Sequence, residues 1–208
     1  MVATSRSRRE LDGLVREIAL TGGKAVAFVC DVTSSRSVAS TARSVLKRFG
    51  RVDVLVNNAG VTYFKSLRET SQSEFDEVIA ANLRGTFLCT KAVIDSMVRR
   101  RSGHIINIIS VAALKSFVDS AAYSASKAGV LALTNVLREE VRRFNIKVTA
   151  VITGATQTDM WSKSTREKYG HRMMSAEDVA RIIVAVFQAP KRARIEEIVV
   201  RPKLGDIP

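Results

Sequence analysis

The sequence predicts an α/β fold of doubly wound type, a parallel sheet covered by helices on both faces. Three observations lead there. Short Val/Ile-rich runs such as "KAVAFVCDV" (24–32), "GHIINIIS" (103–110) and "IKVTAVITG" (146–154) lack polar alternation, as strands buried on both faces do. Segments of helical apolar period separate these runs. Polar residues stand just after the strands, along the sheet edge where such folds bind ligands.

Each element follows in order. A first helix covers about Ser7 to Leu20, with Leu11, Leu14, Val15 and Ile18 on one face. "TGGK" (21–24) precedes a strand, so it reads as a helix C-cap and not as a phosphate-binding turn. A helix capped by Thr33 or Ser34 runs to about Phe49, and "RVDVLVNNAG" is a strand ending in a turn. One long helix spans 73–100, the strand 103–110 follows, and an Ala-rich helix runs on to about Phe144. After the strand at 146 come a capped helix, "SAEDVARIIVAVFQ", and a last strand, "RIEEIVVRP". With no internal repeat or low-complexity linker, residues 1–208 read as one domain.

Composition narrows the function classes. At 46% hydrophobic and 25% charged residues the chain is ordinary for a soluble protein. No apolar run approaches the roughly 18 residues of a membrane span, and "MVATSRSRRELDGL" lacks the apolar core of a secretion signal. Cys30 and Cys89 are isolated, without metal-ligand spacing, and read as buried thiols of a reducing cytoplasm. The net charge of +13 raises the question of nucleic acid. Its basic clusters fall near helix ends with no interleaved aromatics, so a solvated basic surface is the reading adopted.

The helix "AAYSASKAGVLAL" (121–133) places a phenol, Tyr123, and an ammonium, Lys127, one turn apart on one face. Other polar residues mark the strand ends: Asp31, "NNAG" (57–60), Ser110 and Gly154. Together with Asn82 in "ANLRGTF", and with Ser110 thirteen positions before Tyr123, this ordered set resembles the short-chain dehydrogenase/reductase family. The resemblance runs along the chain from Val2 onward.

That resemblance implies hydride transfer between NADP(H) and a small alcohol or carbonyl compound. A proton must move to or from oxygen in the same event, and a free phenol near pKa 10 is a poor carrier. The neighbouring charge of Lys127 is expected to lower the Tyr123 pKa by roughly one to three units. Tyr123 is then the general acid/base, Lys127 its activator and ribose clamp, Ser110 the anchor of the substrate oxygen, and Asn82 the holder of a relay water. On the cofactor side, the resemblance puts Asp31 and Val32 at the adenine and Asn58, Ala59 and Gly60 along the ribose. Gly154, Thr156 and Thr158 would flank the carboxamide and pyrophosphate. Ser5 and Arg6 stand where NAD-preferring members carry an acidic residue, and a guanidinium there suits a 2′-phosphate, so NADP(H) is expected over NAD(H). Residues 155–174 correspond to the substrate lid. Phe87, Leu88, Val93, Val130, Leu133 and Val136 correspond to faces that pair in homodimers or homotetramers.

Two departures are visible. Thr153-Gly154 replaces the family's Pro-Gly, which predicts a looser turn. No strand followed by a "TGxxxGxG" turn is present, and Val2–Thr4 corresponds only to the end of the family's second strand. In the family order 3-2-1-4-5-6-7 this implies a slot of about 10 Å, two strand spacings, inside the sheet. Three readings follow: a piece of a longer enzyme, which is the reading adopted; a slot filled by another segment or subunit; or a non-catalytic, oligomer-forming relative that has kept these residues.

Overall fold

The computed structural model describes residues 1–190 and 192–207. Strand β1 (Val2–Ser5) leads to helix α1 (Arg8–Leu20), capped by the Ser7 hydroxyl. Gly22 at φ +79° and the bonds from Gly22 N to Ala19 O and from Gly23 N to Ile18 O close α1 in a Schellman motif. "TGGK" is therefore a helix stop, as expected. Strand β2 (Val26–Val29) pairs in parallel with β1, and α2 (Ser35–Phe49) follows behind its cap, Ser34.

The second half forms the larger sheet. Strands β3 (Val54–Asn57), β4 (Gly103–Ser110), β5 (Ile146–Thr153) and β6 (Glu197–Val200) pair in parallel in that order. On one face, Val93 and Met97 of α4 (Gly85–Arg100) and Leu137 and Val141 of α5 (Ala121–Arg142) pack on Ile105, Ile146 and Val148. On the other, Val186, Ile182 and Ile183 of α7 (Ala176–Gln188) cover Ile106, Val151 and Ile198. Helices on both faces explain the unbroken apolar character of β4 and β5.

The expected slot divides the sheet in two, β1-β2 and β3-β4-β5-β6. The free edges of β1 and β3 border a cleft of about 680 Å³, the slot between them. The expected single helix over 73–100 is α3 (Gln72–Val78), a π-helical turn (Ile79–Arg84) and α4. Such a turn inserts one residue into the helical register and turns side chains that regular 3.6-residue periodicity would place elsewhere.

His104 is buried beneath the sheet and bonded to Thr149 Oγ1 at 2.9 Å. The Thr149 hydroxyl proton is directed to Ile195 O, so the imidazole Nε2 is the donor. Burial, followed by the Lys147 charge, holds the His104 pKa down to about 4. Since the unfolded chain takes up this proton near pH 6.5 and the folded chain only near 4, stability is lost as pH falls through that window. His104→Gln keeps a donor but cannot titrate. Between pH 7.5 and pH 5 the wild type is expected to lose about 1–2 kcal/mol more than the variant in urea unfolding. Equal losses would exclude His104 as the acid-sensitive group.

Candidate active site

The site is assembled at the C-terminal ends of the strands. Ser110 closes β4, and its Oγ accepts from Ala112 N at 3.1 Å, holding the short 3-10 turn that follows. Tyr123 and Lys127 stand one turn apart on α5, Lys127 only 5% exposed. The Lys127 ammonium donates to Ile108 O at 2.9 Å and lies 5.6 Å from the Tyr123 ring centroid. It thus faces the ring, at cation–π range, while its hydrogen bond goes to the strand.

The electrostatics depart from expectation. Burial lifts the Tyr123 phenol above its ordinary value, and the Ser110 hydroxyl beside it opposes that shift. Lys127 does not set the phenol's pKa in the site as folded. Burial instead pulls the ammonium itself down to about 8. Two groups that each prefer to be uncharged when buried are therefore packed together.

Asn82 lies in the π-helical turn, 1% exposed. Its Oδ1 accepts from Val61 N at 2.8 Å, while Nδ2 donates to Val61 O at 3.0 Å and to Ser126 Oγ at 2.9 Å. The amide clamps the 60–62 loop to α5, and the Asn82 carbonyl accepts from Thr86 Oγ1 at 2.7 Å. A Cβ built on Gly60 would come within 3.2 Å of Asn82 Oδ1 and 3.8 Å of Lys127 Nζ. Absence of a side chain there keeps the approach to Lys127 open.

Ser5, Arg6, Asp31, Val32, Asn58, Ala59 and Gly60 all line the cleft between the two sheets. Asp31 accepts from Thr33 N at 2.9 Å and Thr33 Oγ1 at 2.8 Å, bonds that hold its carboxyl below the usual range, with Arg6 adding a smaller effect. The Ser5 hydroxyl accepts from Ser7 N at 2.9 Å, while Arg6 is exposed at the cleft wall. Gly154, Thr156 and Thr158 lie apart from this cleft, after β5. The turn at Thr153-Gly154 is not loose. Gly154 N bonds Val200 O at 2.7 Å, Thr153 Oγ1 donates to Ile109 O at 3.2 Å, and Thr156 Oγ1 donates to Gly154 O at 3.1 Å. A threonine hydroxyl and the adjacent strand replace the constraint that proline would impose. Thr158 is exposed on the 155–174 segment, whose middle folds into α6 (Lys163–Tyr169).

Sequence reasoning missed two arrangements, a buried amide network and an aromatic stack. Asn57 Nδ2 donates to Thr90 Oγ1 at 3.1 Å and Asn107 Oδ1 at 2.8 Å, and Asn107 Nδ2 to Thr134 Oγ1 at 2.8 Å. This buried network ties β3 to β4, α4 and α5, and polar letters inside apolar strands were its available signal. Phe64, on the loop after β3, stacks on Trp161 of the 155–174 segment at 4.8 Å and 16° and tilts 60° against Tyr123 at 6.3 Å. No spacing rule joins residues so far apart in the chain. Of the faces expected to pair between subunits, Val93 and Val130 are buried in the chain's own core, whereas Phe87 and Val136 are exposed.

A parallel sheet flanked by helices, with a half-buried tyrosine beside a buried lysine and a serine at the strand ends, defines an α/β protein of the dehydrogenase type. Residues 1–169 match the family described as short chain dehydrogenase, and the chain belongs to that family. It is 37% identical to a sepiapterin reductase of Chlorobaculum tepidum, covering 100% of this chain and 84% of the relative. It is 40% identical to a 3-oxoacyl-[acyl-carrier-protein] reductase of Synechocystis over 77% of this chain, spanning 65% of that protein. Among solved structures, a metagenomic short-chain oxidoreductase in complex with NADP superposes with a TM-score of 0.85 at 34% identity, covering 97% of this chain and 85% of that one. An alcohol dehydrogenase from Thermococcus sibiricus complexed with 5-hydroxy-NADP does so with a TM-score of 0.89 at 27% identity, covering 100% of this chain and 87% of that one. Among the described residues no helix is long and apolar enough to cross a membrane.

Proposed function

We propose that this chain is an NADP(H)-dependent oxidoreductase acting on a small alcohol or carbonyl compound. The observation that carries the reading is the juxtaposition of Ser110, Tyr123 and Lys127 beside a side-chain-free Gly60. Relatives named as reductases and neighbours solved with NADP or its 5-hydroxy derivative support it.

Fit of the cofactor divides along its length. Asp31, Val32, Asn58 and Ala59 line space for an adenosine, and the opening at Gly60 leads toward Lys127. Among the described residues the glycines of this cleft are Gly60 and Gly85, and no Gly-rich turn opens a helix against it. The pyrophosphate would therefore rest on fewer backbone donors than a glycine-rich helix N-terminus provides. When bound, NADP(H) supplies or accepts the hydride.

The protein's own residues do the rest. Ser110 orients the substrate oxygen toward Tyr123. The phenol, held protonated by burial, is poised to donate its proton to that oxygen during reduction and to recover it during oxidation. Lys127 places positive charge beside the ring, which stabilises the phenolate that forms as the proton leaves. Asn82 keeps the 60–62 loop docked on α5, so that the entry past Gly60 stays in place. The reading includes residues 1–208 acting as one domain, with 155–174 as its lid, and association through the exposed Phe87 and Val136 faces.

Arg6 carries the cofactor preference, because a guanidinium pairs with a 2′-phosphate as a fork. At a concentration 100 times its dissociation constant, NADPH is expected to stabilise the chain by about 2.7 kcal/mol, roughly 5–10 °C in melting temperature. NADH should give clearly less, and Arg6→Glu should remove the difference. No shift with either nucleotide at millimolar concentration would reject cofactor binding by this chain.

A further inference from the structure

We infer that the substrate of this site carries a flat, apolar group next to its carbonyl or carbinol carbon, received in the corner between the rings of Phe64 and Tyr123. This rests on the hydride-transfer reading above. Phe64 is held beside the Tyr–Lys helix by its neighbour. Lys65 N donates to Asp119 O at 2.9 Å, and Lys65 bridges in parallel to Ser120 at the start of α5. Its ring then stands 6.3 Å from that of Tyr123, tilted by 60°. A substrate whose oxygen meets the Tyr123 hydroxyl extends its attached group into the corner between these two rings.

The other wall is the lid. The base of the lid is pinned by Gln157 N to Met174 O at 2.8 Å and Met174 N to Ala155 O at 3.0 Å, and Asp159 pairs with Arg166 above it. Trp161 is thereby laid on Phe64, with ring centroids 4.8 Å apart and planes 16° from parallel. Phe64 nevertheless remains 42% exposed, and Met160 36%. One face of Phe64 thus holds a parallel ring, Trp161, while the rest of the ring still leaves apolar surface in water. Aromatic contacts of offset or tilted geometry add selectivity for planar groups beyond the area they bury. A saturated ring of similar size gains the burial but not that addition.

Trp161 is the sole tryptophan of the sequence and so reports on its own site. Titration of the intact chain with 1-phenylethanol, followed by Trp161 fluorescence, is expected to give a saturable change. The same titration with 1-cyclohexylethanol should show roughly 3- to 10-fold weaker binding. Phe64→Leu, which keeps apolar bulk at an exposed position, should bring the ratio of the two affinities to about one. Equal binding of the two alcohols, an unchanged ratio in Phe64→Leu, or no saturable change would each overturn the inference. The two readings fail separately. Preferential binding of the phenyl compound without NADPH oxidation by acetophenone would reject hydride transfer alone. Equal turnover of acetophenone and cyclohexyl methyl ketone would reject the planar group alone.

Discussion

Tyr123→Phe is expected to lower kcat/KM by roughly 10²–10⁴-fold, the contribution of a positioned proton carrier. The substitution removes one oxygen and leaves the ring that packs beside Phe64 and under the Lys127 ammonium. The fold and the stabilisation by NADPH should therefore persist, so the loss falls on the chemical step and not on cofactor binding. Because burial keeps the phenol protonated, carbonyl reduction by the wild type should hold steady through neutral pH, while alcohol oxidation should rise with pH. Steady-state rates in both directions from pH 6 to 10 measure this. A Tyr123→Phe variant retaining a third or more of wild-type kcat/KM would remove Tyr123 from the reaction.

Lys127→Met is expected to abolish measurable turnover while making the fold more stable at pH 7. The ammonium is 5% exposed, and its pKa is pulled down to about 8 by burial, below the ordinary 10.5. A group with a folded pKa below its unfolded one destabilises fully at pH below 8, and that penalty fades as pH rises from 8 to 10.5. After discounting for solvent access and for the lost bond to Ile108 O, the gain in Lys127→Met is about 1–2 kcal/mol, a few degrees in melting temperature. By pH 10 the advantage over wild type should largely vanish. Paired melts at pH 7 and pH 10 test the sign, and a destabilised variant at pH 7 would show that the Ile108 bond outweighs the cost of burying charge. Retention of so costly a group is the usual mark of a functional residue.

Much of this site was legible before any coordinates. Asp31, Asn57 to Gly60, Ser110, Tyr123 and Lys127 stand immediately after strands or on one helix face, and local rules place all of them. Two helix starts were equally readable: Ser34, one of two candidates, and Ser175 cap the expected helices, because a cap depends on neighbours three residues away. The π-helical turn at Asn82 was not readable, since it arises where the helix must satisfy both the 60–62 loop and α5. Nor was the direction of the Tyr123 pKa. Spacing shows that an ammonium is near, but only packing shows that burial outweighs it and that its hydrogen bond goes to β4.

What the sequence by itself determined is the kind and order of the elements, the parallel character of the sheet, the slot within it and the set of candidate site residues. These depend on period, capping and residue chemistry, which act over a few residues. Only the tertiary structure decided that a π-helical turn interrupts the helix at Asn82, that Thr153 braces its turn, and that Phe64 meets Trp161 beside Tyr123. Those outcomes are contacts between segments distant in the chain, whose geometry is set by the packing of the whole core.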